Sequence, residues 1–234
     1  AVGETTAALS HSIKNILQGM RSGGDVLKQG LARRELALIA QGWGILDRNM
    51  EKVFNLMMNM LAFSKDREPN LELVQLNQVV EETVAELQSA ADRKSVVLLA
   101  DLDPDLPPLM LDYEGAHQTV LNLVSNPIHA VPASTGIINV RTAYDPAAHE
   151  GRLTVSDNGP GVPPAERERI FQPFHSTKGH AGTGLGLAVA RKFAVEMGGS
   201  IALNSPAEGG AEFVVRFKTE PTSASGDTHG PGQA

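Results

Sequence analysis

The sequence predicts an α+β protein in two parts: an N-terminal helical hairpin, then a longer stretch in which helices and strands are interleaved. Three observations predict it. Apolar residues between Leu9 and Met60 step by three and four, as along the seam of a helical bundle. Residues 96–156 carry short apolar runs and a strand-like alternation, separated by turns rich in Pro and Gly. The stretch from Asp157 to Leu187 opens and closes on glycine-rich groups.

In the hairpin, Leu9, Ile13, Ile16 and Met20 line the first helix, and Leu36, Ile39, Trp43, Leu46, Met50, Val53, Met57 and Met60 line the second. Gly23, Gly24 and Gly30 weaken a helix and offer places to turn. A lone hairpin exposes its seam. Pairing of two copies into a four-helix bundle is the expected remedy, and packing of the hairpin on the rest of its own chain is the alternative. His11 lies off the stripe, pointing roughly 160° away from Leu9 and Ile13 at helical spacing. Asn15 and Gln18 return to nearly the direction of His11, which makes a polar, exposed strip. Polar residues 65–70 end in Pro69-Asn70 and mark a linker, drawn at 67–72 between a hairpin over 1–66 and a second domain over 73–220.

Within the second domain, residues 77–92 are predicted as a helix with Asn77 as its cap. Residues 96–99 and 108–111 are predicted as strands, 113–131 as a helix, and 137–144 and 153–156 as strands paired across a polar loop. Residues 159–183 are read as a mobile cover, with Phe171 and Phe174 anchoring it to the core or to the hairpin. Residues 185–197 form a helix stopped by Gly198-Gly199, and strands at 201–203 and 212–217 complete the sheet. Residues 221–234 are rich in Gly, Pro, Ser and Thr and are predicted to be disordered.

The glycine-bounded stretch has the makings of a nucleotide pocket. Leu153-Thr154-Val155-Ser156 delivers Asp157 to a strand end, where a carboxylate can accept a hydrogen bond from an exocyclic amine such as that of adenine. Gly159 and Gly161 permit positive φ and close approach of a ligand. Gly182-Thr183-Gly184-Leu185-Gly186-Leu187 leads into an amphipathic helix, whose free N–H groups favour phosphate oxygens.

This ordered set, with Phe171 and Phe174 between the glycine groups, resembles the ATP-binding domain shared by sensor histidine kinases, the Hsp90 chaperones, DNA gyrase and the MutL repair proteins. The resemblance implies an α/β sandwich of mixed sheet and helices, with an asparagine-bearing helix upstream. Asn122 and Asn126 occur there, four apart and on one helix face. Two amide oxygens can help hold Mg²⁺ against triphosphate oxygens, Asn126 foremost and Asn122 second. The implied nucleotide contacts are Asn122, Asn126, His129, Asp157, Gly159, Gly161, Thr183, Gly184, Leu185, Gly186 and Leu187. The segment from Ser10 to Asn15 resembles the phosphoacceptor box of sensor histidine kinases, which places His11 as acceptor. Phe174-His175-Ser176-Thr177-Lys178-Gly179 resembles the lid of nitrogen-regulator-type kinases, in which a lysine meets the γ-phosphate; that lysine is Lys178, with Arg169 a weaker candidate. The implied function is ATP-dependent phosphorylation of His11, then transfer to an aspartate of a response regulator receiver domain, by a homodimer paired through its hairpins. Asn15 matches the family position that orients water for hydrolysis of the phospho-aspartate.

Two departures from the family pattern bear on catalysis. Ser12 stands where an acidic residue commonly follows the histidine, and serine is no comparable base. Pro127 follows Asn126, where proline removes an N–H and clashes with the preceding turn, so it is expected either to bend the helix or to end it early. These departures keep a second reading in view, an ATP-binding regulatory or scaffold module with impaired phosphotransfer. A chaperone- or repair-type ATPase is disfavoured by the histidine-bearing hairpin.

Composition fits these readings. The 234 residues are 41% hydrophobic, with mean hydropathy −0.13 and no run near the roughly 18 apolar residues of a membrane span. The formal charge of −7, from 20 basic and 27 acidic residues, argues against non-specific nucleic-acid binding. Cys is absent, which removes disulfide and thiolate chemistry and is compatible with the cytoplasm. His175 and His180, without Cys or suitably spaced carboxylates, do not make a zinc site. Any sensor domain is expected to lie outside this chain.

Overall fold

The computed structural model describes residues 2–64, 68–176, 183–206 and 209–219. The chain divides into two compact units, Ala1–Arg67 with Val162–Lys192, and Glu68–Gly161 with Phe193–Ala234.

The first unit contains the hairpin. Helix α1 (Val2–Arg33) and helix α2 (Leu36–Ser64) are joined by Arg34 and Glu35 alone. Arg34 takes a left-handed φ of 55°, and the turn closes with Arg34 N–H donating to Leu31 O at 3.2 Å and Glu35 N–H to Gly30 O at 2.9 Å. The chain therefore turns after Arg33, and not at the glycines expected to break the helix. Gly23 and Gly30 serve helix contact instead, whereas a Cβ on Gly24 would meet nothing within 4 Å. A Cβ on Gly30 would lie 2.7 Å from Ile39 N, and one on Gly42 2.5 Å from Leu27 N. Side chains there would push the helices apart, and this outweighs the propensity of about 1 kcal/mol that glycine forfeits in a helix.

Most of the stripe on α2 faces outward. Leu36 (80% exposed), Trp43 (57%), Met50, Val53, Met57 and Met60 are all exposed in the single chain, while Leu56 and Asn59 are buried. These six residues of the predicted seam thus do not join α1 to α2, whereas Ile39 and Leu46 of the same stripe are half-buried, Ile39 beside Gly30 of α1. The six remain an apolar face of this copy.

The second unit is built on a five-stranded mixed sheet of order β2-β4-β5-β7-β6. These strands are β2 (Val97–Asp101), β4 (Ile137–Asp145), β5 (Glu150–Asp157), β6 (Ser200–Asn204) and β7 (Ala211–Lys218). Only the β2–β4 pair is parallel. A two-stranded antiparallel sheet joins β1 (Glu72–Val74) to β3 (Leu109–Leu111). Alternation sorts the sheet faces: Ile138 and Val140 of β4 and Leu153 and Val155 of β5 are buried, with exposed or half-buried residues between them. Helices α3 (Leu76–Lys94) and α4 (Tyr113–Ala130) contribute Leu76, Val79, Val80, Val120, Leu123 and Val124 to the same core.

Asn77 is not the cap of α3. It lies within the helix, its Nδ2 donating to Asp103 O at 2.8 Å and its Oδ1 accepting from Thr142 Oγ1 at 2.7 Å. Partners distant in sequence, which fix the turn before β3, outcompeted the local capping role. The effective cap in this unit is Asp112, which is buried at the start of α4. One carboxylate oxygen accepts from Gly115 N and the other from Asn70 N, both at 2.8 Å. Asp112→Ala is expected to cost about 3 kcal/mol in urea unfolding, about 1 for the lost cap and about 2 for the charge-assisted bond to Asn70. Asp112→Asn should recover part of the loss.

Candidate functional site

In the second unit, α4 presents the asparagines. Asn122 is buried and Asn126 half-buried, one turn further along the same face. Pro127 does not end the helix. The α-helix runs on to Ala130, and the Pro127 carbonyl accepts from Val131 N at 2.9 Å. The carbonyls of that last turn have an unforeseen partner in Lys94, whose Nζ donates to Ile128 O at 2.8 Å, His129 O at 3.1 Å and Val131 O at 2.6 Å. A cation there suits the negative end of the helix dipole and satisfies carbonyls that a helix end leaves without intrahelical partners. His129 is exposed, and its Nδ1 lies 2.8 Å from Ser125 O, so the ring folds back on its own helix.

Asp157 ends β5 as predicted and is half-buried. Its Oδ1 accepts from Gly159 N at 2.8 Å, which fixes the carboxylate against the turn that follows. The two glycines differ. Gly161 takes a φ of 71°, as expected, whereas Gly159 does not have positive φ. What Gly159 supplies is room, because a Cβ there would stand 2.7 Å from Asp157 Oδ1. Asn158, between Asp157 and Gly159, donates from Nδ2 to Thr135 O and accepts at Oδ1 from Ile137 N, both at 2.8 Å, and ties the turn to the start of β4.

In the first unit, α1 carries Ser10, His11, Ser12 and Asn15 within continuous helix. Ser12 and Asn15 are half-buried. One turn beyond His11, Ile16 is buried with Leu56 and Leu185 in an apolar cluster flanked by Leu9, Met20 and Phe174. Phe174 thus anchors its segment on the hairpin, one of the two places anticipated for it. Its backbone takes a left-handed φ of 63°. Gly184, with φ of 67°, lies directly against that backbone: a Cβ there would be 2.5 Å from Phe174 C. Thr183 Oγ1 accepts from Leu185 N at 3.5 Å, and helix α5 (Gly186–Glu196) begins just after. Leu185 is fully buried. Its side chain is core, and only its backbone is available to a ligand.

The segment before the second glycine group forms two short 3₁₀ turns, Pro164–Glu166 and Arg169–Phe171. The His175 ring is bonded to the Glu166 carboxylate, and Arg169 pairs with the same carboxylate at 3.2 Å. Arg191 lies over the Phe171 ring, 5.6 Å from its centroid. Lys192 Nζ donates to Ala62 O at 2.8 Å and ties α5 to the end of α2. Lys178 and His180 lie outside the described residues.

Two groups with shifted titration face one another on the surface of α3 and α4. The Tyr113 hydroxyl is bonded to Glu82, which holds that carboxyl below its usual range and raises the phenol. Neither group belongs to the predicted site. Among the described residues no three His, Cys, Asp or Glu gather as a metal cage. Asn122 and Asn126 instead offer neutral amide oxygens, a donor set suited to a hard cation shared with phosphates.

Residues 111–221 match the family of histidine kinase-, DNA gyrase B-, and HSP90-like ATPases. The signal transduction histidine-protein kinase AtoS of Escherichia coli strain K12 is 28% identical over 220 residues, covering 94% of this chain and 35% of AtoS. The sensory histidine kinase/phosphatase NtrB of Salmonella typhimurium is 31% identical over 213 residues, covering 88% of this chain and 59% of NtrB. The chain thus spans between a third and three-fifths of the length of these relatives. Among solved structures, histidine kinase ThkA in complex with response regulator protein TrrA has a TM-score of 0.71 over 95% of this chain and 63% of that one; at 22% identity this is a likeness of fold. No described helix is long and apolar enough to cross a membrane.

Proposed function

We propose that this chain, which is homologous to sensor histidine kinases and carries their type of ATPase domain over residues 111–221, is the catalytic core of a cytoplasmic two-component kinase that phosphorylates itself on His11. The observation that carries the reading is the order of parts, a His11-bearing helical hairpin ahead of a histidine kinase-like ATPase domain.

Each site residue then has a task. Asp157 accepts the adenine amine, with Gly159 and Gly161 leaving room beside it. Thr183, Gly184, Gly186 and the backbones of Leu185 and Leu187 serve the phosphates at the start of α5. His129 extends the nucleotide contacts of α4. Mg²⁺, held by Asn126 and more weakly by Asn122, supplies neutralisation of phosphate charge. Lys178 meets the γ-phosphate. A neutral imidazole nitrogen of His11 attacks the γ-phosphorus, the bond to the β–γ bridging oxygen breaks, and ADP departs. With serine at position 12, the ring proton passes to solvent. The phosphoryl group goes on to an aspartate of a response regulator receiver domain, and Asn15 orients water when the protein acts as a phosphatase. The exposed stripe on α2 supports a homodimer joined as a four-helix bundle.

The test is direct. With γ-labelled ATP and Mg²⁺, the protein should acquire label that is stable to base, lost in acid, and chased onto a receiver domain. ATP bound without any such label would leave the regulatory-module reading in its place.

A further inference from the structure

We infer that Gly210, outside every motif of the nucleotide site, is a positioning residue that sets where Asp157 stands. The inference rests on the reading of Asp157 as the adenine acceptor. Gly210 immediately precedes β7, and Ala211 opposes Asp157 across the β5–β7 ladder. Its φ is 82°, and a Cβ on it would lie 1.8 Å from the Asp157 carbonyl oxygen and 2.9 Å from the carbonyl carbon. Neither atom is the end of a flexible side chain; both are backbone at the end of a paired strand.

The contact continues. A Cβ on Gly161 would meet Gly210 O at 2.6 Å, so the turn after Asp157 rests on the same backbone. Asp157 is thereby held twice: its main chain against Gly210, and its carboxylate by Gly159 N at 2.8 Å. An alanine at 210 must displace that strand end by more than about 1 Å to reach van der Waals contact. A carboxylate moved that far loses its hydrogen bond to a fixed amine, and such displacements are enough to cost function.

Neighbouring Gly209 separates the two consequences of a side chain. Its φ is 94°, so alanine there is equally strained, yet a Cβ on it has nothing within 4 Å. Backbone strain is common to both sites, and crowding of Asp157 belongs to Gly210 alone.

The experiment titrates the whole chain, as wild type, Gly209→Ala and Gly210→Ala, with Mg²⁺-ATP and with inorganic tripolyphosphate, after thermal melts show which variants fold. Gly210→Ala should bind ATP roughly tenfold or more weaker, the worth of one bond to a charged group, and tripolyphosphate nearly unchanged. Gly209→Ala should stay within about threefold of wild type for both, because strain alone does not reach the carboxylate. A folded Gly210→Ala that binds ATP as wild type does, that loses both ligands equally, or that matches Gly209→Ala overturns the inference. Wild type with no preference for ATP over tripolyphosphate overturns the underlying reading of Asp157 instead. Should Gly210→Ala not fold, hydrogen exchange of the wild type decides. ATP should slow exchange at 209–213 together with 156–161, and slowing at 156–161 alone overturns the inference.

Discussion

The His11→Gln protein is expected to bind Mg²⁺-ATP as the wild type does and to carry no acid-labile phosphate. The loss is total because it removes the nucleophile itself. Neutral imidazole has an available lone pair near pH 7, its ordinary pKa being about 6.5, whereas an amide nitrogen has none to offer. Glutamine is also the better helix former, so α1, which runs unbroken past this position, should be undisturbed. The check is paired: labelling with γ-labelled ATP, and a calorimetric titration with a non-hydrolysable analogue. Label retained on His11→Gln would move the acceptor elsewhere. Lost analogue binding would mean that the variant had damaged more than the acceptor. Ser12 enters the same measurement. With serine rather than a carboxylate following the histidine in sequence, the wild-type rate should be modest even with every nucleotide contact in place.

Asn126→Ala is expected to weaken Mg²⁺-dependent ATP binding by about a hundredfold, with little change in the thermal midpoint. Mg²⁺ takes one or two protein oxygens and completes its shell with phosphates and water, so one amide is a large share of what the protein provides. Asn126 is half-buried on a helix, a position at which alanine costs little. Asn122 differs because it is buried. Asn122→Ala should lower the melting temperature as well as the affinity, since a buried polar site is left without its side chain. Titrations with and without Mg²⁺ separate the two asparagines. If Asn126→Ala weakens binding equally in the absence of the ion, the side chain contacts the nucleotide rather than the metal.

Much of this architecture was legible in the residues. The three-and-four stepping found both helices of the hairpin, and the alternation in 137–144 and 153–156 found the central strand pair. The glycine groups and the asparagine helix found the stretch that matches the histidine kinase-, DNA gyrase B-, and HSP90-like ATPases. What escaped was set by partners remote in sequence. Gly23, Gly24 and Gly30 read as turn signals by propensity, but helix contact claimed Gly23 and Gly30, Gly24 stayed within α1, and the turn went to Arg34. Asn77 read as a local cap and became a tie to Asp103 and Thr142. Asp112 caps α4 locally through Gly115 N, but its second tie, to Asn70, and the bonds of Lys94 to the far end of α4 join residues that no local window contains. Gly159 was right as a glycine, though for room rather than φ. The apolar stripe on α2 was found correctly, but its period could not tell which partner it faces.

The order of strands has a consequence for how the molecule assembles. α1 and α2 meet across a two-residue turn, so their contacts close short loops and form early, at little entropic cost. β5 must instead wait for β7, which is made after α5 and β6 and then inserts between β5 and β6 in the sheet. During synthesis the hairpin can take shape while the sheet is still incomplete. Asp157 acquires its backing only when Gly210 and Ala211 arrive, so the residue proposed to read the base is among the last parts of the chain to reach its final position.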